Sequence, residues 1–222
     1  MCGCFQCHQV AGQGNPIGGF PRIGGQSFQY LYASLRNFKS GRRVSDVMQP
    51  VVAGYSDEDL RDVAAYYASI RLKPVAASQA TAVRNHPSAD TLIQGGALAA
   101  VGSAKDGVQA CANCHGPAGA GLPPVYPFLA GQFAGYLESQ LKAFKSNQRH
   151  GDGLHIMQGI AKRLSDEQIH AVAEYYASIQ PPETIAQTSF AGPAVVGAPL
   201  GPLQERANPN GPSASTGQGS GQ

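Results

Sequence analysis

Two copies of a Cys-x-x-Cys-His pattern carry the strongest chemical signal in this 222-residue chain, one at Cys4–His8 and one at Cys111–His115. Two thiols three positions apart can add across the two vinyl groups of a haem, and the histidine that follows can then ligate the iron. A single copy would also suit half of a zinc site or a dithiol redox pair. The patterns predict two covalent haems, with a zinc knuckle built from both copies as the alternative.

The residues after each motif repeat in register. A Gly-rich loop leads to an aromatic-Pro segment that ends in Gly-Gln, at 20–26 in the first copy and 126–132 in the second. Both copies close on the same five residues, Tyr-Tyr-Ala-Ser-Ile, at 66–70 and 175–179. Self-similarity of this kind indicates an internal duplication.

Two methionines complete the repeat. Met48 lies 40 residues after His8 and Met157 lies 42 residues after His115, and each is followed by Gln. An isolated buried methionine usually fills a gap in a core, but matching distances from the two histidines favour axial ligation. Thioether sulfur is a soft, neutral ligand, so His/Met coordination raises the reduction potential and fills both axial positions. The ligand set predicts electron transfer in preference to binding of oxygen or peroxide.

The helical periodicity of the chain predicts the elements that position these residues. Apolar residues at helical spacing indicate one helix from Ser27 and another from Ser56 to about Ile70. In the second copy a helix is predicted from Asp90, and one that is capped by Ser165 continues through Ile179. No strand-like alternation is sustained, so the predicted fold class is all-α.

Composition limits the remaining possibilities. Charged residues make up 14% of the chain, and the formal charge of +2 falls to roughly −2 once each haem adds two propionates. That balance gives no argument for binding nucleic acid or an anionic membrane. Four of the five cysteines belong to the two motifs, which leaves Cys2 unassigned. No apolar stretch reaches the length of a transmembrane helix.

The expected domains are a first haem domain at 1–73, a linker at 74–89, a second haem domain at 90–181, and a low-complexity Pro/Gly/Ser-rich tail at 182–222. The first domain lacks a helix before its motif, so its last helix is expected to leave an apolar face, with Val63, Tyr67 and Ile70, partly exposed and in need of a partner. No signal peptide precedes Cys4. Because c-type haems are attached outside the bacterial inner membrane, Met1 is not expected to be the native start.

With both haem motifs, both methionines and both aromatic-Pro segments in place, the chain resembles the dihaem class I cytochromes c of the cytochrome c4 family over roughly 4–73 and 90–181. The resemblance implies two tandem cytochrome c domains about a pseudo-twofold axis. It also implies a periplasmic carrier of single electrons from a quinol-oxidising or dehydrogenase complex to an acceptor such as a terminal oxidase. The carrier would be a free shuttle or a subunit of a membrane complex, and not itself an enzyme.

The family pattern assigns roles residue by residue. It makes the thioether attachments Cys4, Cys7, Cys111 and Cys114, the proximal ligands His8 and His115, and the distal ligands Met48 and Met157. In such domains a backbone carbonyl near the first proline, here Pro21 and Pro127, accepts a hydrogen bond from the proximal histidine. Arg43 and Arg149 match in register and are candidates to hold haem propionates, with solvated surface charge as the equal alternative.

Two alternative functions stay open. A two-haem peroxidase needs one iron with an open or easily vacated position, which two methionines in ligand register disfavour. A redox or gas sensor needs an output domain, and none is visible after residue 181. His150 and His155 precede Met157 without counterparts in the first copy, so a bis-histidine haem in the second copy is also conceivable, although the shared Met-Gln register argues against it.

Overall fold

The computed structural model describes residues 3–71, 87–151 and 154–182, all within one compact unit that spans 1–187. The described residues form α-helices, a 3-10 helix (Pro117–Gly119), turns and isolated β-bridges, without a β-strand. The helices are α1 (Phe5–His8), α2 (Phe28–Lys39), α3 (Met48–Val52), α4 (Asp57–Ser69), α5 (Ala89–Val101), α6 (Ala112–His115), α7 (Ala134–Lys145), α8 (Ile156–Arg163) and α9 (Asp166–Ser178). The all-α prediction is confirmed. Most of the predicted linker and nearly all of the predicted tail lie outside the described residues, so the domain boundaries stay a prediction.

In the first repeat, α2 packs against α4. The side chain of Ser27 accepts a hydrogen bond from the Tyr30 amide, which caps α2. Ser56 and Asp59 form a reciprocal capping box at the start of α4. Such caps satisfy amides that the first turn of a helix leaves without intrahelical partners. The predicted starts of both helices are confirmed.

In the second repeat, α5 packs across α9, and α9 also contacts α7. The α5–α9 crossing is close: a Cβ added at Gly95 would lie 2.1 Å from the carbonyl oxygen of Ala171. Leu98 on α5 and Ile169, Val172 and Tyr176 on α9 are buried in the shared core. The helices predicted from Asp90 and after Ser165 are therefore present.

The last helix of the first repeat corrects one expectation. Val63 and Ile70 are partly exposed, as expected, but Tyr67 is 3% exposed and packs with Leu31 and Ala64. The neighbouring Tyr66 is the exposed ring, at 49%. Because Tyr67 faces α2 and the interior, burial of its ring does not depend on a helix equivalent to α5.

Reciprocal hydrogen bonds join the two repeats. The Gln26 side chain donates to the Phe128 carbonyl oxygen (2.9 Å) and accepts from the Phe128 amide (3.3 Å). Its equivalent, Gln132, donates to the Arg22 carbonyl oxygen (2.9 Å) and accepts from the Arg22 amide (3.0 Å). Equivalent residues exchange equivalent bonds, as a twofold relation requires.

A second reciprocal set lies between the two arginines that match in register. Arg43 and Arg149 form an antiparallel bridge. The Val44 amide donates to the Gln148 carbonyl oxygen (2.9 Å) and the His150 amide donates to the Arg42 carbonyl oxygen (2.7 Å). The repeats are therefore arranged about a pseudo-twofold axis that passes near this bridge, in agreement with the prediction.

Four short helices were not predicted from the sequence: α1 and α6, which contain the two motifs, and α3 and α8. Met48 begins α3, and Met157 is the second residue of α8.

Among the described helices, none combines the length and the apolar character needed to cross a membrane.

Candidate functional site

A cavity of about 780 Å³ lies along both repeats. Every site residue that the sequence predicted lines it: Cys4, Cys7, His8, Pro21, Arg43, Met48, Cys111, Cys114, His115, Pro127, Arg149 and Met157. Its lining is mainly apolar, which suits a large flat ligand with few polar groups. The structure thus brings the two motifs and the two methionines to one continuous cavity.

The two histidines are held in the same way. His8 Nδ1 donates to the Pro21 carbonyl oxygen, and His115 Nδ1 donates to the Pro127 carbonyl oxygen, each at 2.9 Å. This bond fixes the tautomer and the ring orientation and leaves Nε2 as the available ligand atom. Burial lowers the pKa of both rings, against a smaller opposing effect of the carbonyl bonds. Burial therefore favours the neutral imidazole, which is the form that binds iron.

The four motif cysteines are partly buried, and none of them forms a disulfide in the described part of the chain. In each motif, one turn of helix places the cysteines three positions apart and therefore on one face, beside the histidine. A zinc knuckle would need the motifs to converge, but no three His, Cys, Asp or Glu side chains cluster among the described residues. Cys2 lies outside those residues.

Both methionines are partly buried at the cavity wall. In the first repeat the Met48 amide donates to Ser45 Oγ (3.1 Å), and the Ser45 amide donates to Gln49 Oε1 (3.0 Å). These bonds tie the start of α3 to the preceding loop. Gln49, the residue after the methionine, thus has a positioning role in that loop.

The second repeat holds its methionine loop through a buried glutamine. Gln158 is hydrogen-bonded to His155, to His150 (3.0 Å) and to Asn147 (3.1 Å). Neither His150 nor His155 lines the cavity. The arrangement gives both histidines a partner in the loop and supports Met157, not a histidine, as the ligand candidate.

Arg43 and Arg149 are buried, at 6% and 7% exposure, so they are not solvated surface charges. Arg43 donates to Tyr136 Oη (2.6 Å) and Gln140 Oε1 (2.7 Å). Arg149 donates to Gln140 Oε1 (2.9 Å) and Tyr30 Oη (3.1 Å). Each arginine thus reaches a tyrosine of the other repeat.

The charges in this cluster are perturbed. Burial, followed by the charge of Arg149, lowers the pKa of Arg43. Burial alone would raise the pKa of Tyr30, but the positive charges of Arg149 and Arg43 outweigh it and bring that pKa to about 8. Buried cations that depress the pKa of a phenol produce a strongly positive local potential, which favours an anion.

The contact between the two repeats around Arg43 and Arg149 is called the junction below. Three of its residues were not identified from the sequence. Tyr30 and Tyr136 stand at matching positions of the repeat, so their shared register was an available signal. Arg22 is also buried and lines the cavity. Its equivalent in the second repeat is Phe128, so no repeat signal pointed to it.

The residues present fit a covalently attached haem at each motif. Each half of the cavity offers paired thiols, an oriented histidine Nε2 and a methionine sulfur, and the wall is apolar. The buried arginines supply positive charge for carboxylates such as haem propionates.

Known proteins similar to this chain include c-type cytochromes, in agreement with a haem at each motif. The model of the cytochrome c family matches residues 1–71 and 103–180. The thiosulfate dehydrogenase electron acceptor of Thiomonas intermedia is 37% identical over 175 residues, covering 79% of this chain and 77% of that protein. Cytochrome c4 of Pseudomonas aeruginosa is 35% identical over 174 residues, covering 78% of this chain and 81% of the other.

A solved structure shares the fold. Reduced cytochrome c4 from Pseudomonas stutzeri superposes with a TM-score of 0.69 at 31% identity, covering 79% of this chain and 93% of that chain. The similarity extends over both repeats of the present structure, so it includes the tandem arrangement as well as the single-domain fold.

Proposed function

This chain belongs to the cytochrome c family, to its dihaem cytochrome c4 branch, and on that premise we propose that it carries single electrons in the periplasm from a respiratory donor to a terminal acceptor. It is an electron-transfer cytochrome with two covalently bound haem c groups. When bound, each haem supplies a one-electron Fe(III)/Fe(II) couple.

The ligand set follows the two repeats. Cys4 and Cys7 attach the first haem, and His8 and Met48 ligate its iron. The support is that all four residues line one part of the cavity and that the Pro21 carbonyl oxygen orients the His8 ring.

The second haem has the equivalent set. Cys111 and Cys114 attach it, and His115 and Met157 ligate its iron, with the His115 ring oriented by the Pro127 carbonyl oxygen. The hydrogen bonds of Gln158 to His150 and His155 support this choice over a bis-histidine haem.

The protein residues have three tasks in electron transfer. The Pro21 and Pro127 carbonyl oxygens hold the imidazoles, so little reorganisation accompanies oxidation and reduction. Met48 and Met157 would each supply a thioether sulfur to the iron, which would leave no coordination position for small ligands. Arg43 and Arg149 hold propionates at the domain junction, where burial strengthens charge pairing. None of these tasks needs a substrate pocket, and the chain is accordingly a carrier and not an enzyme.

The donor is proposed to be a periplasmic dehydrogenase or a quinol-oxidising complex, and the acceptor a terminal oxidase. The relative from Thiomonas intermedia is named as the electron acceptor of thiosulfate dehydrogenase, which makes an enzyme of that kind the first donor to test. The chain would serve as a diffusing shuttle or as the cytochrome subunit of a membrane-associated complex.

The paired arrangement of an oriented histidine and a methionine in one cavity carries this proposal, and ligand binding to the reduced protein tests it. We expect periplasmically produced protein to contain two haems per chain and, when reduced, to leave carbon monoxide unbound. It should also be reduced by a thiosulfate dehydrogenase in the presence of thiosulfate. If one haem binds carbon monoxide rapidly and the protein also turns over peroxide, the protein is a peroxidase and not an electron carrier. Carbon monoxide binding without peroxide turnover would favour the sensor function.

A further inference from the structure

Arg22 is a buried cation without an acidic partner. It is 9% exposed, and its Nε atom is buried without a hydrogen-bond partner. The five ion pairs among the described residues all involve other side chains. Burial lowers its pKa, which reflects the cost of removing this charge from water. A buried charge is normally paired, so Arg22 requires an explanation.

The surroundings of Arg22 place it at the junction of the two haem sites. It follows Pro21, whose carbonyl oxygen orients His8. Its amide and carbonyl groups are bonded to Gln132 of the other repeat. Its guanidinium lies 4.6 Å from the centre of the Phe133 ring, and its side chain lines the central cavity. The backbone is therefore fixed on both sides, and the side chain reaches the second repeat.

Arg22 breaks the symmetry of the junction. Arg43 and Arg149 are equivalent residues, so they affect the two haem sites similarly. The equivalent of Arg22 is Phe128, which is 1% exposed and uncharged. One positive charge is thus added to a junction that is otherwise nearly symmetric in charge.

We propose that Arg22 pairs with a haem propionate and thereby separates the reduction potentials of the two haems. A fixed positive charge, and the neutralisation of a propionate, both favour the ferrous state of the haem concerned. Loss of the charge lowers the potential of that haem and leaves the other nearly unchanged. This inference rests on the two haems occupying the shared cavity, as proposed above.

Potentiometric titration of the holoprotein, with the two haems resolved by paramagnetic resonance, tests the proposal. Arg22→Gln should change the equilibrium constant for sharing one electron between the haems by about tenfold, which is about 59 mV for a one-electron couple. Arg22→Lys retains the charge and should restore most of the difference. Arg61→Gln is the matched control, because Arg61 is an exposed arginine on α4 that pairs with Asp57.

A purely structural role for Arg22 makes a different prediction. If the guanidinium only packs on Phe133, then Arg22→Gln and Phe133→Leu both lower stability and neither changes the difference between the two potentials. The proposal also requires the carboxylate bands of the propionates in redox-difference infrared spectra to shift in Arg22→Gln and to stay in place in Arg61→Gln. Equal shifts of both potentials, or unchanged carboxylate bands, would overturn it.

The test is independent of the ligand assignment. The near-infrared sulfur-to-iron absorption of the ferric protein reports methionine ligation, and Arg22→Gln should leave it intact. If the unmodified protein does not show that absorption, the proposed axial ligands are refuted. The effect of Arg22→Gln on the difference between the two haem potentials would still decide the role of Arg22.

Discussion

Replacing Gln26 with Leu should weaken the junction of the two haem domains. The side chain bonds the amide and the carbonyl group of Phe128, which lies 102 positions away and is 1% exposed. Leucine has nearly the same volume but can satisfy neither group. A buried polar group left without a partner costs about 1–3 kcal/mol, so the two groups together predict a loss of about 2–6 kcal/mol.

The equivalent change, Gln132→Leu, should cost at least as much. Gln132 Oε1 accepts from the Arg22 amide and also from the Phe133 amide (3.1 Å), so one further bond is lost. The pair of substitutions therefore tests the pseudo-twofold relation itself, because equivalent residues should have similar effects.

Equilibrium unfolding in urea, followed by haem absorbance, measures the effect. Gln94→Leu is a suitable control, since Gln94 is an exposed residue on α5. We expect both junction variants to unfold at lower urea concentration than the control, or to show two transitions where the unmodified protein shows one. A change of less than about 0.5 kcal/mol in both junction variants, within the range of ordinary surface substitutions, would show that these hydrogen bonds do not stabilise the contact between the repeats.

Two further predictions concern helix packing and capping, and thermal unfolding of the holoprotein checks both. Gly95→Ala should be strongly destabilising, because the new methyl group would lie 2.1 Å from the carbonyl oxygen of Ala171. Gly135→Ala, in α7 with open space around it, should be neutral or stabilise the protein by about 0.5 kcal/mol. Similar melting temperatures for the two variants would contradict the close crossing of α5 and α9. Ser56→Ala and Ser165→Ala should each cost about 1 kcal/mol through loss of the capping box, and unchanged melting temperatures would show that these caps contribute nothing.

Local sequence signals predicted the elements that depend on local chemistry. The helices capped by Ser27, Ser56 and Ser165 begin where predicted, because the capping side chains lie within three residues of the amides that they bind. The helix α3 was missed because it is five residues long and contains Pro50. It is stabilised by tertiary packing of Val52, at 1% exposure, near Leu60.

The burial of the junction arginines could not be predicted from the sequence. Arg43 finds its partners Tyr136 and Gln140 more than ninety positions away, in the other repeat. Arg22 meets Phe133 in the same way. Only the docking of two folded domains creates these contacts, so a single-sequence pattern contains no local trace of them. The adjacent tyrosines of α4 differ in this respect, because helical periodicity placed Tyr67 and not Tyr66 on the apolar face, and Tyr67 is the buried ring.

We propose that this protein is an electron carrier with two His/Met haems. The most direct measurement is the near-infrared sulfur-to-iron absorption of the ferric protein, recorded for the unmodified chain and for Met48→Ala and Met157→Ala. We expect each substitution to remove about half of the band, because each iron would carry one thioether ligand. If Met157→Ala leaves the band unchanged, the second haem has another ligand or an open position, and the account of two closed electron-transfer sites is contradicted.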